Sequence, residues 1–67
     1  MNRDTLEGNW KQLSGKVKAQ WGKLSDDDLA RIEGRADELV GKIQERYGIA
    51  REEAERQVDE WQESMDS

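Results

Sequence analysis

Four lysines, Lys11, Lys16, Lys18 and Lys23, are interleaved with Gly8, Gly15, Ala19 and Gly22, and this set comes nearest to chemistry in the chain. On a helix turning about 100° per residue, the small residues form a strip roughly 60° wide, flanked by Lys11 and Lys18 on one side and by Lys16 and Lys23 on the other. A smooth floor between basic walls binds anions. The partner classes it suits are a phosphate backbone, an anionic lipid surface, or the acidic face of another protein's helix. Each exposed glycine inside a helix costs about 1 kcal/mol relative to alanine. Gly8 and Gly15 therefore point to a close approach by some other backbone. The bland alternative is that the lysines only solvate an exposed face and the glycines pack within the molecule.

No other residues reach the threshold of a reactive site. The chain has no His and no Cys, which removes the commonest general base, the best nucleophile, the usual transition-metal ligands, and any disulfide or zinc-thiolate centre. Ser14, Ser25, Ser64 and Ser67 have no activating base nearby in sequence. The run Asp26, Asp27, Asp28 lacks the alternating oxygens, glycine and terminal Glu of a calcium loop, and suits a helix start instead. The Gly-Lys pairs lack the spacing and the preceding strand of a phosphate loop. The expectation is a protein with no catalytic residues, no cofactor and no metal, and hence not an enzyme.

Composition limits what can position the lysine strip. The 67 residues suffice for a single domain spanning 1–67, with soft ends at 1–3 and 65–67. A core of this size usually yields about 3–5 kcal/mol of net stability. Leu, Ile, Val and Phe number only 11, but three Trp and one Tyr add large burial, on the order of 150–250 Å² each. The net charge of −5 is unevenly spread: residues 1–25 carry five basic and two acidic groups, giving +3, and residues 26–67 carry six and fourteen, giving −8. That acidic remainder opposes binding to a polyanion within a Debye length. No apolar run approaches the roughly 18 residues needed for a membrane span, and no signal-peptide pattern opens the chain, so a cytoplasmic location is expected.

With no Pro and mostly good helix formers, the chain reads as all-α. Four helices are expected: Asp4 to Trp21; a short one from Asp26 to Glu33, capped by Ser25; Arg35 to Tyr47; and Arg51 to Ser64. The apolar stripe of the first is Leu6, Trp10, Leu13, Val17, Trp21 and Leu24. Leu29 and Ile32 lie on the second helix. The third buries Ala36, Leu39, Ile43 and Tyr47, and Val40 and Gly41 on its opposite side suggest contact on two faces. The fourth buries Ala54, Val58, Trp61 and Met65 and turns Glu52, Glu55, Asp59 and Glu63 outward.

A pseudo-repeat joins these elements. Leu6, Glu7, Gly8, Leu13, Gly15, Lys16, Val17, Trp21 and Gly22 recur 26 positions later as Ile32, Glu33, Gly34, Leu39, Gly41, Lys42, Ile43, Tyr47 and Gly48. The shared frame L-x-G-K-[V/I]-x-x-x-[W/Y]-G predicts two related units, two packed α-hairpins in a small four-helix bundle, with Gly22 and Gly48 both left-handed at helix ends.

The segments Gly8 to Leu29, with W-K-Q-x-x-G-K-x-K-x-x-W-G, and Glu33 to Ile49 closely resemble the CsbD-like family of small bacterial proteins. The likeness covers about three quarters of the chain; Ala50 to Ser67 matches less distinctively. It implies a small helical bundle of SAM-like or helix-hairpin-helix type and an association with general stress responses. It implies no reaction, ligand or cofactor.

Overall fold

The computed structural model describes the backbone of residues 3–66 and the side chains of residues 6–65. Five helices follow one another: α1 (Arg3–Gly8), α2 (Trp10–Gln20), α3 (Asp26–Ile32), α4 (Ala36–Tyr47) and α5 (Arg51–Asp66). No strand occurs among the described residues. Of the ends expected to be soft, Arg3, Met65 and Asp66 are helical, while residues 1, 2 and 67 lie outside the described residues.

The helix expected from Asp4 to Trp21 is two helices, not one. At Asn9 the backbone leaves helical geometry (φ −115°, ψ 20°), and its carbonyl accepts from the amides of Gln12 (3.0 Å) and Leu13 (2.9 Å), which starts α2 afresh. Gly8, the weakest helix former of the segment, immediately precedes the break. The apolar stripe survives because both helices face one core, with Leu6, Leu13 and Val17 all buried. Among the described residues five helices thus replace the expected four.

A second expectation also fails. Gly48 is left-handed (φ +65°) and ends α4 through its amide to the Gln44 carbonyl (2.8 Å), but Gly22 is not among the positive-φ residues. The chain leaves α2 at Trp21 (φ −121°), whose carbonyl accepts from Leu24 (3.1 Å) and closes the turn without a left-handed residue. The left-handed pair lies at the end of α3, where Glu33 (φ +52°) and Gly34 (φ +81°) reverse the chain.

Gly34 has a second reason to be glycine. A Cβ there would lie 2.6 Å from the Glu7 Cα and 3.1 Å from the Leu6 carbonyl oxygen, so α1 rests directly on the joint between α3 and α4.

The core combines Leu6, Leu13, Val17, Trp21 and Leu24 with Leu29 and Ile32, Ala36, Leu39, Val40 and Ile43, and Ala54, Val58 and Trp61. Helix α4 is its axis, packing on α1, α3 and α5, which is why Val40 is buried as well as Leu39 and Ile43. Trp10, Tyr47 and Met65 are only partly buried. The first two need partners for a polar edge. The Trp10 Nε1 donates to the Leu29 carbonyl (3.1 Å), and the Tyr47 hydroxyl accepts from the Lys23 amide (3.2 Å). Trp21 meets Trp61 edge-on, with centroids 5.5 Å apart, and donates from Nε1 to Gln57 Oε1 (3.0 Å). These contacts tie the end of α2 to α5.

Candidate interaction face on helix α2

Burial of Leu13 and Val17 fixes how α2 rolls on the core, and the 3.6-residue period then leaves Lys11, Gly15, Lys16, Lys18 and Ala19 exposed. Gly8 and Lys23 are exposed too, but neither belongs to α2: Gly8 ends α1, and Lys23 sits in the turn after α2. The expected strip is therefore shorter than the sequence reading, with Gly15 and Ala19 as its floor. A Cβ at Gly15 would meet no heavy atom within 4 Å, and the same holds at Gly8 and Gly22. No described residue outside their own helix packs against the Cβ direction of these glycines, so packing among the described residues does not explain them.

The four lysines differ in how far they are engaged. Lys18 Nζ reaches Asp26 Oδ1 at 2.7 Å across the α2–α3 turn. Lys23 lays its ammonium 5.0 Å above the Tyr47 ring, a cation–π contact. Lys11 and Lys16 are exposed and make no ion pair with any described residue. The repeat sharpens this contrast. Lys42, the counterpart of Lys16, lies 3.7 Å from Asp28 Oδ1 and 3.4 Å from Glu45 Oε2.

In sequence, Asp26, Asp27 and Asp28 read together as helix-start carboxylates. Ser25 does cap α3: its hydroxyl accepts from the Asp28 amide (3.1 Å) and its amide donates back to Asp28 Oδ2 (3.0 Å), a reciprocal capping box. Asp28, however, is buried and also receives both arms of Arg46, Nε to Oδ2 and Nη2 to Oδ1, each at 2.9 Å. The bidentate guanidinium, with the Ser25 amide, holds the Asp28 carboxyl well below the usual carboxylate range. The S-x-x-D spacing signals the cap. The clamp onto α4 is a long-range pairing with no local signature. Asp28 is thus a structural bolt between α3 and α4.

On α5, Arg56 pairs with Glu53 and reaches Glu60 at 2.8 Å, which lowers the Glu53 carboxyl from its ordinary value. Arg51 Nε takes Glu55 Oε1 at 2.9 Å. Glu52, Asp59 and Glu63 are exposed and have no ion pair with any described residue. Among the described residues no group of three or more His, Cys, Asp or Glu is placed to hold a metal ion, and no helix is long and apolar enough to cross a membrane.

Comparison with known proteins gives one consistent likeness. Residues 4–56 match a family described as CsbD-like. The chain is 61% identical over 66 residues to the UPF0337 protein YjbJ of Escherichia coli O6:H1, covering 98% of this chain and 96% of that one. It is 61% identical over 62 residues to a UPF0337 protein of Pectobacterium atrosepticum (92% and 90% covered). A UPF0337 protein of Bordetella pertussis is 57% identical over 61 residues (91% and 92%). No solved structure matches the chain at a significant level.

Proposed function

From the premise that the chain belongs to the CsbD-like family, we propose that it is a non-enzymatic bacterial stress-response protein that acts through surface contact, with the α2 face as its contact surface. The observation that carries this reading is the combination on α2 of exposed Lys11 and Lys16, which pair with no described residue, with a Gly15 whose Cβ direction is open. A domain this small gains nothing for its own fold from an exposed glycine inside a helix. The SAM-like hairpin arrangement and a cytoplasmic location belong to the same proposal.

The partner class is anionic. A nucleic acid or an anionic membrane is the second reading, favoured by the lysines and opposed by the −8 charge of residues 26–67. Salt-titrated binding to duplex DNA, RNA, anionic vesicles and an acidic helical peptide tests the face. The expected result is binding to at least one probe that falls steeply with salt and weakens in Lys11→Gln/Lys16→Gln. No binding to any probe at low salt overturns it. Cellular abundance tests the stress assignment: it should rise on entry into stress, and a constant level across growth conditions overturns that part.

A further inference from the structure

The molecule carries the complement of its own basic face. Glu52, Asp59 and Glu63 lie on the side of α5 opposite the buried Ala54, Val58 and Trp61, spaced so that helical periodicity aligns them in one row. They have no ion partner among the described residues, and neither have Lys11 and Lys16 on α2. Both helices bury their apolar sides in one core, so both charged rows face outward, and no lysine of one pairs with a carboxylate of the other within one copy. The repeat shows what the lysine position does when a carboxylate is available, because Lys42 is drawn to Asp28 and Glu45.

We infer that the anionic surface taken up by α2 is the Glu52, Asp59 and Glu63 row of α5 on a second copy of the chain. This rests on the reading of α2 as the contact face. Gly15 and Ala19 let the second helix approach between Lys11 and Lys16, which is the use left for a glycine whose Cβ direction is open. A long polyanion would meet the acidic remainder along its whole length, whereas a second copy meets the lysines with its own acidic row. Both copies carry a net charge of −5, so their overall repulsion is strongest in dilute salt. At about 0.1 M, where the Debye length is ~10 Å, distant charges are screened and touching rows still attract; at about 1 M, with a Debye length of ~3 Å, the attraction is also lost. The surfaces are unlike, so the contact is head-to-tail.

Sedimentation velocity up to the millimolar range, with a thermal melt of every variant to verify folding, tests this. The wild type should self-associate at intermediate salt and dissociate at high salt. Lys11→Glu/Lys16→Glu and Glu52→Lys/Asp59→Lys/Glu63→Lys should each associate about tenfold more weakly alone, and their mixture should recover association. A partner of the same net charge that lacks the α2 lysines and keeps the acidic α5 row, Lys11→Gln/Lys16→Gln with Glu7→Lys/Asp27→Lys/Glu33→Lys/Glu38→Lys, should not recover it, which excludes net-charge attraction. Gly15→Leu should remain folded and lose self-association with no change of charge. A wild type that stays monomeric overturns the inference, as does undiminished association of the α2 or α5 variant. If the monomeric wild type still binds an anionic probe through Lys11 and Lys16, only self-pairing falls; if it binds none, the contact face falls with it.

Discussion

Glycine means something different at four positions of this chain, and substitution separates the meanings. At Gly34 an added Cβ collides with the Glu7 backbone at 2.6 Å and φ is +81°. Gly34→Ala should cost about 3 kcal/mol or more, since left-handed strain of order 1–3 kcal/mol is joined by a displacement of α1. Gly48 has positive φ but open surroundings, so Gly48→Ala should cost about 1 kcal/mol. At Gly15 neither restraint applies, and Gly15→Ala should stabilise the fold by about 0.5–1 kcal/mol. Gly22, without positive φ, should tolerate alanine with little change. Urea denaturation of the four variants checks the order, and a Gly34→Ala protein as stable as Gly15→Ala would contradict the seating of α1.

At the scale of elements, the apolar periodicity picks out the buried apolar side chains of the core, because burial at period 3.6 is a local pattern, but Trp21 and Leu24, expected on the first helix's stripe, lie in the turn after α2. The break at Asn9 was equally written in the chain. Shifted by the 26-residue repeat, Asn9 falls on Arg35, the residue that starts α4, so each unit is a short helix followed by a longer one. The continuous stripe from Leu6 to Trp21 masks this, since two helices lying against one core keep a common apolar face. The equivalence ends at Gly22, where Trp21 leaves α2 by a different turn from the one made by Tyr47 and Gly48. The Asp28–Arg46 clamp and the pairing of Lys18 with Asp26 were not legible, for they depend on how helices dock. The α2-to-α5 tie has a direct test: Trp21→Ala removes both the Trp61 contact and the bond to Gln57. It should cost about 3–5 kcal/mol, comparable to the whole stability expected of a domain this size. Loss of the cooperative thermal transition is the expected outcome, and a cooperative melt near the wild-type midpoint would contradict it.

For the whole molecule, acid should be the sensitive condition. Asp28 has its carboxyl lowered from an ordinary 3.8 by Arg46 and the Ser25 amide, so the folded state holds its proton less tightly than the unfolded chain does. Its contribution to stability is complete above the unfolded value and disappears as pH falls through about 4 and below. Glu53, lowered by Arg56, acts in the same sense at a more exposed site where screening weakens it. The wild-type melting temperature should drop steadily between about pH 5 and pH 2, while Asp28→Asn should start lower and fall less steeply. Parallel acid limbs for the two proteins would show that the clamp is not the titrating element.

The seating of α1 on Gly34 also bears on how the chain is made. During synthesis α1 and α2 leave the ribosome first, before the α3–α4 joint that receives Glu7 and Leu6 has been translated. Until then the nascent segment has nowhere to bury Leu6, and its Trp and Leu side chains are available to a chaperone. Two similar units in tandem therefore do not make two independent folding steps. The first completes its burial only when the second is present, and the core closes only after α5, which supplies Ala54, Val58 and Trp61, has emerged.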